Sequence, residues 1–79
     1  MKRIDTMIGE RAAEEFFEWA RKLGVYDKEA AARLGIDRKS PYEWRNGEFT
    51  PSTSALQKMA FNGLDVIYIL TGKRQGGKA

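Results

Sequence analysis

The chain contains no cysteine and no histidine. Without cysteine there is no disulfide scaffold, no zinc finger and no thiol nucleophile. Without histidine no Ser-His-Asp or Cys-His arrangement can be assembled. A long apolar run is missing as well. The longest is Val66-Ile67-Tyr68-Ile69-Leu70, far too short to span a bilayer. Lys2 and Arg3 are not followed by an apolar stretch, so no signal peptide is expected. These absences point to a cytoplasmic domain with no metal site, no cofactor and no membrane contact.

A large excess of one charge is also lacking. Fourteen Lys and Arg face eleven Asp and Glu, for a net charge of +3. Residues 1–35 hold seven positive and seven negative charges, and residues 36–79 hold seven and four. Lys73, Arg74 and Lys78 supply the whole excess. The body is therefore neutral, and net charge alone cannot argue for nucleic acid. Local arrangement has to carry that argument.

What is present is one domain's worth of chain, 79 residues with 42% hydrophobic, enough for a thin core. Gly24, Gly35, Gly47, Gly63 and Gly72 each follow a stretch that reads as helical. Glycine tolerates the left-handed conformation that ends a helix. The pattern predicts an all-α bundle of five short helices.

The first helix is expected from about Gly9 to Leu23. Ile8, Ala12, Phe16, Ala20 and Leu23 form its apolar face, joined by Trp19, while Phe17 lies off the stripe. The second is expected over Lys28–Leu34 with Asp27 as its cap. Its Ala30-Ala31-Ala32 run permits close approach of another helix. In the third, Ser40-Pro41-Tyr42-Glu43 fits a capping box with proline at the first helical position, preceded by an irregular turn at Asp37–Lys39. It should end at Asn46-Gly47. Ser52 or Pro51 opens the fourth, with Leu56, Met59 and Ala60 inward. Asp65 caps a fifth through about Leu70, although Val66, Ile67 and Ile69 would equally suit a strand. Trp44, Trp19, Phe16 and Leu56 read as core, and Phe49 as a core plug or a dimer contact.

Four residues stand in a telling order. Ala31 comes four before Gly35, Ile36 follows it, and Trp44 lies nine after it. Physically this reads as two helices joined by a tight turn, the second crossing over Ala31. The second helix is then held outward, free to enter a major groove.

The chain here resembles Xre/Cro-type helix-turn-helix domains, and in particular the DNA-binding domains of lambda-type phage repressors. The resemblance rests on Leu23-Gly24-Val25, Ala31, Leu34-Gly35-Ile36, Trp44-Arg45-Asn46-Gly47, Pro51 and Ile69-Leu70-Thr71-Gly72, and spans roughly residues 8–73. Pro41 stands where the family usually carries a branched aliphatic residue. Asp27 stands where it often carries a phosphate-contacting glutamine, which leaves that contact to Lys28 or a backbone amide. The resemblance implies a five-helix, lambda-repressor-like bundle. Its function would be sequence-specific binding of double-stranded operator DNA as a homodimer, in a small phage or bacterial transcriptional repressor.

On that basis Arg38 or Lys39 is expected at a guanine edge, or both as an ordinary solvated turn, Asn46 at adenine or a phosphate, and Tyr42 at a thymine methyl or a phosphate, or else as a partly buried aromatic. Glu43 would accept from cytosine, or else serve as the capping partner of Ser40. Thr50 and Ser52 are expected at phosphates, or as caps of the fourth helix. Lys2 and Arg3 in an arm (residues 1–6), and Lys73, Arg74 and Lys78 in a flexible tail (residues 73–79), would track phosphates or else be disordered ends that only aid solubility. The domain proper covers residues 1–72. Glu10, Glu14, Glu15 and Glu18 read as a solvated helical face, so no enzyme and no small-molecule substrate is expected. With no sensing domain in view, control would come from concentration, partners or cooperativity. The competing reading is a protein-interaction module on the same bundle.

Overall fold

The computed structural model describes residues 4–74, with side chains from Met7 onward. The described residues form five helices and no strand: α1 (Ile4–Leu23), α2 (Asp27–Leu34), α3 (Ser40–Arg45), α4 (Thr53–Phe61) and α5 (Val66–Thr71). All five expected glycine stops adopt positive φ, between 74° and 88°. The protein is thus a small all-α bundle. None of the described helices is long and apolar enough to cross a membrane. Lys2, Arg3 and Lys78 lie outside the described residues.

Helix α1 is the spine. Its Ala12, Phe16 and Ala20 repeat at four-residue spacing and are buried, with Ala13 beside them. Ala30, Ala31 and Leu34 join from α2, Trp44 from α3, Ala55 and Met59 from α4, and Leu64 and Ile69 from the α5 end. Half the core is alanine, so backbones approach closely. The most extensive packing is of α3 and then α5 against α1.

Helix α1 starts five residues earlier than expected, at Ile4. Gly9 looks like a helix break but lies inside the helix. A Cβ on it would stand 2.7 Å from the carbonyl oxygen of Trp44 and 3.2 Å from that of Phe49. The glycine is there because α3 lies against it.

Helix α2 starts at Asp27 itself, with Tyr26 at the cap position and no side-chain cap. The Asp27 carboxylate is drawn away to the Tyr42 hydroxyl, which donates to it. At the other end Gly35 has φ 78°, and its N–H donates to the Ala31 carbonyl at 2.9 Å. The Gly35 carbonyl accepts from Lys58 Nζ at 2.9 Å, which ties the corner to α4.

The close crossing of α3 over Ala31 is not found. No Cα of α2 lies within 8 Å of one in α3, and the close neighbours of α2 are α1 and α4. Ala30 and Ala31 are small to admit those two helices. Contact between α2 and α3 runs instead through long side chains, as in the Tyr42–Asp27 bond.

The turn at Asp37–Lys39 is present. The Asp37 carboxylate accepts from the Lys39 N–H at 2.8 Å, and its carbonyl from the Ser40 N–H at 3.0 Å. Lys39 occupies the cap position with right-handed helical angles, φ −80° and ψ −22°. Ser40 therefore already lies within the helix and the Ser40–Glu43 capping box is not formed. Pro41, near the helix start, is less than 2% exposed. Its ring is part of the interior.

Ser52 caps α4, its hydroxyl accepting from the Ala55 N–H at 3.1 Å. Met59 is buried and Leu56 partly so, but Ala60 is exposed, one helical step round from Met59. Asp65 caps α5 by accepting from the Tyr68 N–H at 2.9 Å. Arg11 Nε donates to the Ile69 carbonyl at 2.9 Å near the other end. Capped at one end and covered at the other, the β-branched segment is helical. Trp19 is partly buried at the core edge. Phe49, read as a core plug or a dimer contact, is not in the core and is 61% exposed on its loop.

Arg74 is no part of a loose tail. It pairs with Glu15 at 2.6 Å and Asp65 at 3.2 Å, and its guanidinium lies 3.9 Å from the Tyr68 ring centroid. Those contacts hold its pKa above the usual arginine value, chiefly through the Glu15 hydrogen bond.

Candidate nucleic-acid interface

Lys39, Tyr42, Glu43 and Asn46 stand at i, i+3, i+4 and i+7, which is one helical face. The phase holds at both ends because the flanking cap residues Lys39 and Asn46 keep right-handed helical angles. Pro41 and Trp44 occupy the opposite, buried face. Lys39 and Asn46 are exposed, Tyr42 is 38% exposed and Glu43 is half-buried. Arg38 is exposed on the preceding turn. So α3 is seated by two buried residues and shows a mixed polar face to solvent.

The expected contact residues divide between two sides of α3. Ser40 and Glu43 share a groove with Asp37, Thr50, Ser52 and Phe49, between α3 and the start of α4. Tyr42 lies on the other side, toward α1 and α2. Its ring centroid is 5.3 Å from that of Phe17, and its hydroxyl donates to Asp27. That hydrogen bond, with burial and the Asp27 charge, raises the phenol above its ordinary pKa of 10.0. Asp27 is thereby engaged at the start of α2, next to the exposed Lys28.

Of the eleven cations with described side chains, three form ion pairs with described carboxylates. Arg21 pairs with Glu18, Arg33 with Glu29, and Arg74 with Glu15 and Asp65. Lys28, Arg38, Lys39 and Arg45 have no carboxylate within 4.0 Å among the described residues. These four lie between the start of α2 and the end of α3, as does the paired Arg33, while Arg11, Lys22, Lys58 and Lys73 also lack a carboxylate partner among the described residues, Arg11 and Lys58 donating instead to backbone carbonyls.

Arg45 escaped the reading of the sequence. Its guanidinium lies 5.2 Å from the Tyr42 ring centroid and 5.3 Å from that of Phe17. The aromatic–cation spacing Tyr42/Arg45 at i, i+3 was the available signal, but Phe17 comes from another helix.

The acidic face of α1 is engaged. Glu14 accepts from the Tyr68 hydroxyl at 2.8 Å, which raises the pKa of that phenol. Glu15 holds Arg74, and Glu18 holds Arg21 and is lowered by that hydrogen bond. Among the described residues, no group of three or more Asp or Glu side chains is placed to hold a metal. Comparison with protein-family models, curated proteins and solved structures finds no match to this chain.

Proposed function

We propose that this protein is a sequence-specific double-stranded-DNA-binding regulator, a small phage or bacterial repressor that works as a homodimer on an operator. The observation that carries the reading is a local grouping of unpaired cations about α3. Among the described residues, Lys28, Arg38, Lys39 and Arg45 cluster around α3 with no carboxylate within 4.0 Å, although Arg33 in α2 is paired and Lys22 and Lys73 elsewhere are also unpaired. The four surround a short helix whose outward face offers Lys39, Tyr42, Glu43 and Asn46, a set that includes donors and acceptors suited to base edges. Phosphate contacts from Lys28, Thr50 and Ser52 would set the register, and Arg38 and Lys39 would read bases.

The mechanism is occupancy. A dimer with two-fold symmetry would place its two recognition segments about 34 Å apart, on half-sites one helical turn away from each other. Binding would exclude polymerase without any chemical step. The protein would work in the cytoplasm, on the nucleoid.

A second reading is favoured by one observation. Tyr26 is 88% exposed, Phe61 80% and Phe49 61%, and exposed aromatic side chains suit a protein partner. Titration of duplex DNA against the protein and its Arg38→Ala/Lys39→Ala double variant separates the two. The DNA reading expects tight binding to a preferred duplex that the double variant loses. Equal affinity of both proteins for every duplex, or none from either, favours the interaction module.

A further inference from the structure

Arg45 differs from the other free cations in how it is held. Lys28, Arg38 and Lys39 project from a helix start and a turn. Arg45 lies over two rings, 5.2 Å from the Tyr42 centroid and 5.3 Å from that of Phe17. Those rings are themselves anchored. Phe17 meets the fully buried Phe16 edge-on, at 5.2 Å and 79°. Tyr42 is fixed at its far end by donating to Asp27. A chain of contacts thus runs from the core to an exposed guanidinium.

Two consequences follow for its chemistry. Arginine carries roughly 2 kcal/mol of rotamer entropy, and a side chain already laid on a platform loses less of it on binding. A guanidinium also presents a planar fork of donors that suits phosphate oxygens. Its place on α3 decides which part of a duplex it meets. It lies one helical step round from Tyr42 on the side away from Glu43, at the edge of the outward face and beside α1. A cation at the edge of a reading helix is placed for the strand backbone rather than for a base edge.

We infer that Arg45, held on the Phe17–Tyr42 platform, is a phosphate clamp for duplex DNA that fixes how α3 sits on the strand. This rests on the DNA-binding reading above and adds a contact that reading did not include. The platform also accounts for the Tyr42–Asp27 bond. It turns the phenol toward α2.

The test is duplex binding by the full chain across a salt series, on a random-sequence duplex and on the best-bound duplex. Wild type is compared with Arg45→Ala, Arg45→Lys and Phe17→Leu. One phosphate contact contributes about 0.9 to the slope of log K against log salt, so Arg45→Ala should flatten the slope by about 0.9. The same slope implies a loss of about eightfold at 0.1 M salt and about fourfold at 0.2 M, alike on both duplexes. Arg45→Lys should keep the slope and bind with intermediate affinity. Phe17→Leu should also keep the slope while weakening binding, because the charge stays and its platform goes. Arg45→Ala binding like wild type overturns the clamp. A loss confined to the preferred duplex with an unchanged slope also overturns it, by making Arg45 a base reader. Wild type that binds no duplex at low salt is a different failure, which removes the DNA-binding reading and the clamp with it.

Discussion

A Cβ on Gly9 of α1 would stand 2.7 Å from the carbonyl oxygen of Trp44 in α3, closer than real side-chain carbons approach such atoms. The spine and the outward-facing helix therefore touch backbone to backbone at this point. The orientation of α3 depends on a residue with no side chain.

Gly9→Ala sets two effects against each other. Alanine gains about 1 kcal/mol over glycine inside a helix. The clash with a backbone carbonyl is an overpacking cost of about 1–3 kcal/mol, and a carbonyl at a helix contact cannot swing aside as a flexible side chain can. A net loss is expected, read as a lower midpoint in thermal unfolding. A raised midpoint would mean that α3 yields easily.

Gly35→Val is destabilising for a different reason. There is room for a Cβ, since the nearest atom is Lys58 Nζ at 3.6 Å. The cost is conformational: φ is 78°, a region that costs an L-residue about 1–2 kcal/mol and a β-branched one more. Gly35→Asn should lose less than Gly35→Val in the same denaturant titration. Equal losses would place the cost in packing.

Trp44→Ala should cost about 3–5 kcal/mol in chemical denaturation, because Trp44 is only 3% exposed in the α1–α3 contact. Retained stability would place the ring outside the core.

The Tyr42–Asp27 link gives a pH prediction. Its hydrogen bond raises the folded-state pKa of the phenol above 10.0. The link's contribution is therefore complete below the unfolded value and is lost as pH rises through the folded one. Stability should fall on the alkaline side of pH 10, and less so in Tyr42→Phe, measured by unfolding at a series of alkaline pH values. Parallel wild-type and variant curves would contradict the link.

The helix count and the stops were legible because five glycines punctuate the chain and each needs a left-handed backbone that few other residues adopt. The caps at Ser52 and Asp65 were legible because they act within three residues. What could not be read from local pattern came from other helices. Gly9 looks like a break unless Trp44 is known to lie against it. Asp27 looks like a cap unless Tyr42 is known to reach it. Arg74 looks like tail unless Glu15 and Asp65 are seen beside it. At the candidate interface the exposure of Arg38, Lys39 and Asn46 matched the reading. The separation of Tyr42 from Ser40 and Glu43, and the placing of Arg45, follow from how α3 packs on α1.

Selection of bound duplexes from a random-sequence pool tests the central claim most directly. The account predicts recovery of a recurring sequence with near two-fold symmetry, lost when Arg38 and Lys39 are both replaced by alanine. A bound fraction no different in sequence from the starting pool would contradict it.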